Sequence, residues 1–149
     1  MKITGKQSQS GSILVFVTIA CVAFIGFLGL AVDMGHLYMV KIKMQNAVDA
    51  AALAGAAKLP SESAAKQQAA NFVQANAQVD ARANGFYYDP SNATAAVTAF
   101  NDTRYPNAAY AITVTLTNNV PTYFLTVFGV RNFPLTVTAE AIASAGSGG

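Results

Sequence analysis

From Ile13 to Val32 the chain runs for twenty residues, ILVFVTIACVAFIGFLGLAV, without one charged side chain. At about 1.5 Å of rise per residue, such a helix is roughly 30 Å long, the thickness of a bilayer's hydrocarbon core. Nothing else in the chain is large enough to hide Ile13, Leu14, Phe16, Phe24, Phe27, Leu30 and Val32 from water, so residues 13–32 are expected to be a permanent membrane anchor. The run is longer than the apolar core of most signal peptides. A lipoprotein junction at Ala20 and Cys21 is disfavoured by Thr18 and by the apolar run that continues after the cysteine. Cleavage after Ala31, using the small residues Gly29 and Ala31, is disfavoured by the length of the run.

Short flanks that carry lysine tend to stay in the cytoplasm, so Lys2 and Lys6 argue for an inside N-terminus. Lys41 and Lys43 argue the other way, but they lie about 12 Å further along the helix, and Asp33 occupies the boundary itself. The expected organisation is a cytoplasmic tail (1–12), the anchor (13–32), an extracytoplasmic α+β domain (33–143) and a flexible tail (144–149). Such a domain holds one modest core. With 11% charged residues and a net charge of +2, the chain has no basic field for nucleic acid. Cys21 is the only cysteine, so no intrachain disulfide forms.

Beyond the anchor the helix is expected to continue. Leu37, Val40, Met44, Ala47, Val48, Ala51 and Gly55 recur at spacings of three and four, and no proline interrupts Met34 to Lys58. Residues 12–58 then form one rod of about 70 Å, whose alanine-rich end lets another backbone approach closely. Pro60 ends it. Ser61 and Glu62 suit the start of a second helix, buried along Ala65, Ala69, Phe72 and Val79 and stopped by Asn84 and Gly85. An antiparallel helical hairpin follows.

Threonine, valine and aromatic residues then mark strands. Phe86–Tyr88 and Thr94–Phe100 flank a turn of Asp89, Pro90, Ser91 and Asn92 and are expected to pair as a hairpin. Tyr110, Ile112, Val114 and Leu116 alternate with Ala111, Thr113, Thr115 and Thr117, the pattern of a strand with one dry and one wet face. Pro121 is expected in the first turn of a short helix through Tyr123, Phe124, Val127 and Phe128, stopped by Gly129. Phe133 to Ala141 form a last alternating strand.

The chain offers little chemistry. Asp33 and His36 are neighbours on one helix face, yet an interfacial charge that stops the anchor sliding inward is the preferred reading of Asp33. Cys21 lies about 22 Å along the rod from His36, and Asp49 more than four turns beyond Asp33, so neither a nucleophile–base pair nor a metal site assembles. No catalytic residue, cofactor, metal or small-molecule substrate is expected. Ala31 with Gly35, and Ala51 with Gly55, have the spacing of close helix contacts; for the second pair, packing inside the same chain is preferred. Tyr123, Phe124 and Phe128 are expected in the core rather than on a docking patch. The sequons at Asn92 and Asn101 carry no expected role in a bacterium.

The segment Gly26 to Leu59, GFLGLAVDMGHLYMVKIKMQNAVDAAALAGAAKL, resembles the N-terminal region of TadE/TadG-like pilus-assembly proteins of the tight adherence (Flp pilus) systems. The match runs through Asp33, Gly35 and a Gln45, Asn46, Ala47, Asp49, Ala51 to Gly55 run after an apolar span. Val120 to Val130 with Leu135 to Ala143 is similar to the short helix and closing strand of the same family. The resemblance implies a non-enzymatic component of Flp pilus assembly in the bacterial inner membrane. It also implies membrane lipid, the inner-membrane platform, the assembly ATPase, other pilin-like proteins and the secretin as partners. Longer relatives add a von Willebrand type A domain, which this sequence is expected to lack. Prepilins are cut after a glycine and carry Glu at the fifth mature position. Here Gly11 is followed by Ser12, and Phe16 stands at the fifth place, so an assembly or minor component is favoured over a filament subunit or a small surface-binding module.

Overall fold

In a computed structural model, residues 9–84, 87–99 and 108–144 are described. Lys2, Lys6, Gly85, Phe86, Phe100, Asn101 and the tail after Ser144 lie outside these residues. The fold is α+β: two helices on one face of a three-stranded antiparallel sheet. Helix α1 spans Gln9–Ala56, 48 residues, which at 1.5 Å each is about 72 Å. Thr18 satisfies its hydroxyl within the helix by donating to the Leu14 carbonyl at 2.8 Å.

Between Gly11 and Val32, Gly29 is the one buried residue. Above Val32 the apolar stripe from Leu37 to Gly55 is buried throughout, because helix α2 (Glu62–Asn84) folds back along it and the sheet packs against it as well. Turn bonds from Lys58 to the Gly55 carbonyl and from Ser61 to the Lys58 carbonyl close the connection. On α2 the buried side is Ala65, Ala69, Val73 and Ala77, whereas Phe72 is 39% and Val79 62% exposed. That corrects the expected face. Two alanine-lined helices pack backbone to backbone and leave no room between them for a phenyl ring.

Strand β1 (Ala93–Ala99) pairs with β2 (Ala108–Pro121), not with Tyr87 or Tyr88, and β2 pairs with β3 (Asn132–Ser144). Tyr87 and Tyr88 are not in a strand, and Ser144 belongs to β3 rather than to a tail. The registers stack Ala93, Leu116 and Val137, then Ala95, Val114 and Ala139, then Val97, Ile112 and Ala141, across the face that meets the helices. The outer face carries threonine: Thr115 and Thr138 share a hydroxyl bond at 3.1 Å, and Thr117 and Thr136 one at 3.0 Å. Such cross-strand pairs contribute about 0.2–1 kcal/mol each.

Pro90 opens a 3₁₀ turn, Pro90–Asn92, with Asp89 as its cap: the Ser91 N–H donates to the Asp89 carboxylate at 2.9 Å. The Ser91 bonds outweigh partial burial and hold the Asp89 carboxyl below its ordinary range. Tyr88, just before this turn, is fully buried. Its hydroxyl donates to Asp80 at 3.5 Å, and Asp80 also pairs with Lys43 at 3.1 Å, so one polar trio ties α1, α2 and the turn. Burial, then the Asp80 charge, pushes the Tyr88 phenol up, and it stays protonated. Tyr88→Phe leaves the ion pair in place, so it is expected to cost only about 1 kcal/mol in a denaturant melt.

Candidate functional site

Where α1 leaves its apolar section, Asp33 is 0% exposed. Its carboxylate accepts three backbone N–H groups from the β2–β3 connection: Tyr123 at 2.8 Å, Phe124 at 3.0 Å and Leu125 at 2.6 Å. Those amides open a short 3₁₀ turn, Leu125–Phe128, which has no side-chain cap of its own. An aspartate some ninety residues earlier therefore does the capping, in the charge-assisted form that makes hydrogen bonds strong. Asp33, expected as an interfacial charge, is also a tie between helix and loop. His36 joins it: its ring meets the Tyr123 ring edge-on, centroids 5.2 Å apart.

One turn below Asp33, Gly29 seats the Phe124 ring. A Cβ at Gly29 would lie 2.6 Å from the ring, so only glycine admits this contact. Asp33 and Gly29, four residues apart on one helix face, together form a clasp for the loop. Gly29→Val is expected to evict Phe124, which is measured as raised amide exchange across 122–131 with the helical hairpin unchanged.

The loop also holds itself. Val127 donates to Phe124, Gly129 to Thr126 and Val130 to Leu125, while the Thr126 hydroxyl donates to the Thr122 carbonyl. The Thr122 hydroxyl donates to the Val130 carbonyl, and its N–H to Arg131. Gly129 stops the turn in the left-handed region, at φ 86°, as expected. Pro121, by contrast, ends β2 opposite Asn132 instead of opening a helix. Tyr123, Phe124 and Phe128 are exposed rather than core, Phe128 at 76% beside Val127 at 83%. Between the loop and α1 lies an apolar groove of about 690 Å³, walled by Val22, Ile25, Gly26 and Leu30 on the helix and by Phe124, Leu125, Val127 and Phe128.

The other residues singled out from the sequence are spread along α1. Gln45 ties it to the outer edge of the sheet: its amide donates to the Thr138 carbonyl at 3.2 Å and to Asp49 at 2.8 Å. Gly55 is packed inside the chain, its Cα facing Ile112, Ala65 and Ala69, and Ala51 is buried beside it. Asn46 and Asp49 are exposed, and a Cβ at Gly35 would meet open space. Ile13, Leu14, Phe16, Phe24, Phe27, Leu30 and Val32 are all exposed. Cys21 is free and exposed, and among the described residues no group of three or more His, Cys, Asp and Glu is arranged to hold a metal.

Sequence reasoning placed Asp33 but not its partners, and it missed Gly29 as a seat. A buried acceptor four residues above a glycine is a signal only once the loop is known to return there.

The helix that carries this clasp is long and apolar enough to cross a membrane. Residues 11–58 match the family model described as Flp pilus-assembly TadE/G-like, and residues 54–143 match that described as Tad-like Flp pilus-assembly. No curated protein and no solved structure matches the chain. The second match alone covers more than half of the sequence and takes in the sheet and the clasped loop, and the first takes in Gly29 and Asp33: the chain belongs to the Tad-like Flp pilus-assembly family.

Proposed function

We propose that the protein is a single-pass component of the bacterial inner membrane that serves Flp pilus assembly through contacts rather than catalysis. Residues 13–32 span the bilayer, Lys2 and Lys6 keep the N-terminus inside, and the α+β head from Asp33 onward stands in the periplasm or outside. The observation that carries this reading is the Asp33 clasp. It couples head to anchor without a flexible joint, so a pull or a docking event on one is felt by the other. Enzymes need titratable groups converging on a substrate; here Lys43, Asp80 and Tyr88 are packed as a structural tie.

Gly35, Asn46 and Asp49 fit a contact role. At about 100° per residue they share a narrow face of α1, opposite the buried stripe of Val40, Met44 and Ala51. Family motif positions that the core does not use are suited to meeting other pilus components, such as the inner-membrane platform, pilin-like proteins or the secretin.

The test is purification of the tagged full chain from native membranes. Other pilus components should co-purify and be lost with Asn46→Arg at unchanged melting temperature, and deletion should abolish surface pili. Normal pili without the protein would overturn the proposal in favour of an independent surface-binding module. A mature N-terminus at Ser12, with the protein found in sheared pili, would make it a filament subunit instead.

A further inference from the structure

We propose that the Leu125–Phe128 turn is a second membrane-inserted element, dipping into the acyl region of the outer leaflet beside α1, with lipid chains filling the groove between them. The inference rests on the reading of residues 13–32 as the membrane span. Its first support is depth. The helix wall of the groove reaches down to Val22, about 16 Å below Asp33 by the helical rise, so the loop wall facing it lies at the level of the hydrocarbon.

Composition agrees. From Val120 to Val130 there is no charged residue, and Val127 and Phe128 at the tip are the most exposed of the loop's large apolar side chains. An apolar patch of this kind on a water-facing surface calls for a partner. Arg131 stands exposed at the loop's base and Tyr123 at its start, the residue types that suit phosphate headgroups and the membrane interface.

The strongest support is the backbone. Irregular chain is tolerated at membrane depth only when its N–H and C=O groups are satisfied without water. The amides of Thr122, Tyr123, Phe124, Leu125, Val127, Gly129 and Val130 all have acceptors within the protein, three of them on Asp33. Both threonine hydroxyls of the loop are bonded inward as well. Lipid, rather than another protein's helix, is the favoured occupant because the groove is continuous with the face of α1 that the bilayer already covers.

Because the chain contains no tryptophan, single substitutions report depth cleanly. Full-length Phe24→Trp, Val127→Trp, Phe128→Trp and Tyr87→Trp are placed singly in phosphatidylcholine–phosphatidylglycerol nanodiscs, one chain per disc, with acyl-chain-brominated lipid. Phe24→Trp and at least one of the two loop variants should lose most of their emission, and Tyr87→Trp none. Val127, whose side chain touches little, guards against misfolding of the Phe128 variant. Quenching at Phe24→Trp with neither loop variant quenched overturns the proposal and leaves the anchor standing, with the loop left as a surface for a protein partner instead. No quenching at Phe24→Trp overturns the anchor reading and the proposal with it.

Discussion

Replacing Asp33 by alanine is expected to release the β2–β3 loop from α1 while the helical hairpin and sheet stay folded. Three N–H groups lose a shared anionic acceptor in a place closed to water. In amide exchange on the full chain in nanodiscs, Tyr123, Phe124 and Leu125 should exchange about ten- to a hundred-fold faster, the scale set by losing hydrogen bonds to a charged group. Amides of the α2 and β2 core should not change. Unaltered exchange at 123–125 would mean that the loop stands without Asp33. The pH dependence has a definite sign. Burial pushes this carboxyl up, but the Leu125, Tyr123 and Phe124 N–H groups, with His36 nearby, outweigh it and hold it below its ordinary value of 3.8. A depressed acid stabilises the folded form fully above its unfolded value and ceases to as pH falls through the lower folded one. Loop protection should therefore be flat near neutrality and collapse only in strong acid, and Asp33→Asn should remove that acid step.

Gly55→Val should destabilise the head more than any other single change at the family motif. Even the first added carbon would sit 2.6 Å from Ile112 Cδ1, 3.1 Å from the Ala65 carbonyl oxygen and 3.4 Å from Ala69 Cβ. The isoleucine tip can rotate, but the α2 backbone cannot retreat without unpacking Ala65 and Ala69. Overpacking of this sort costs about 3 kcal/mol at its upper end, a large part of the 5–15 kcal/mol typical of a domain. The control is Gly35→Ala, where a Cβ meets open space and helix propensity returns up to about 1 kcal/mol. Chemical denaturation in micelles should show a large loss for the first and none for the second. Equal effects would contradict the packing of α1 on α2.

Much of this fold was legible because it is periodic. The stripe from Leu37 to Gly55 repeats with the helix, and Ile112, Val114 and Leu116 alternate with the strand, so burial follows from spacing alone. Where a contact depends on which element returns to which, spacing is silent. Phe72 looked internal by hydrophobicity, yet the close approach of two alanine faces selects Val73 and Ala77 instead. Tyr88 looked like a strand residue, but its hydroxyl seeks Asp80, eight residues back, and β1 finds its partner in β2. The aromatic loop looked like core because soluble domains bury such residues. Its place beside the apolar half of α1 gives those side chains another use. Asp33 was visible as a boundary residue, whereas its three donors lie some ninety residues away.

The measurement closest to the centre of this account is alkaline extraction of native membranes, followed by intact mass of the recovered protein. Retention in the membrane pellet, with residues 13–32 present in the mass, is the predicted result. Recovery in the supernatant as a chain beginning beyond Asp33 would contradict it, because both the span and the clasp would then be missing from the working protein.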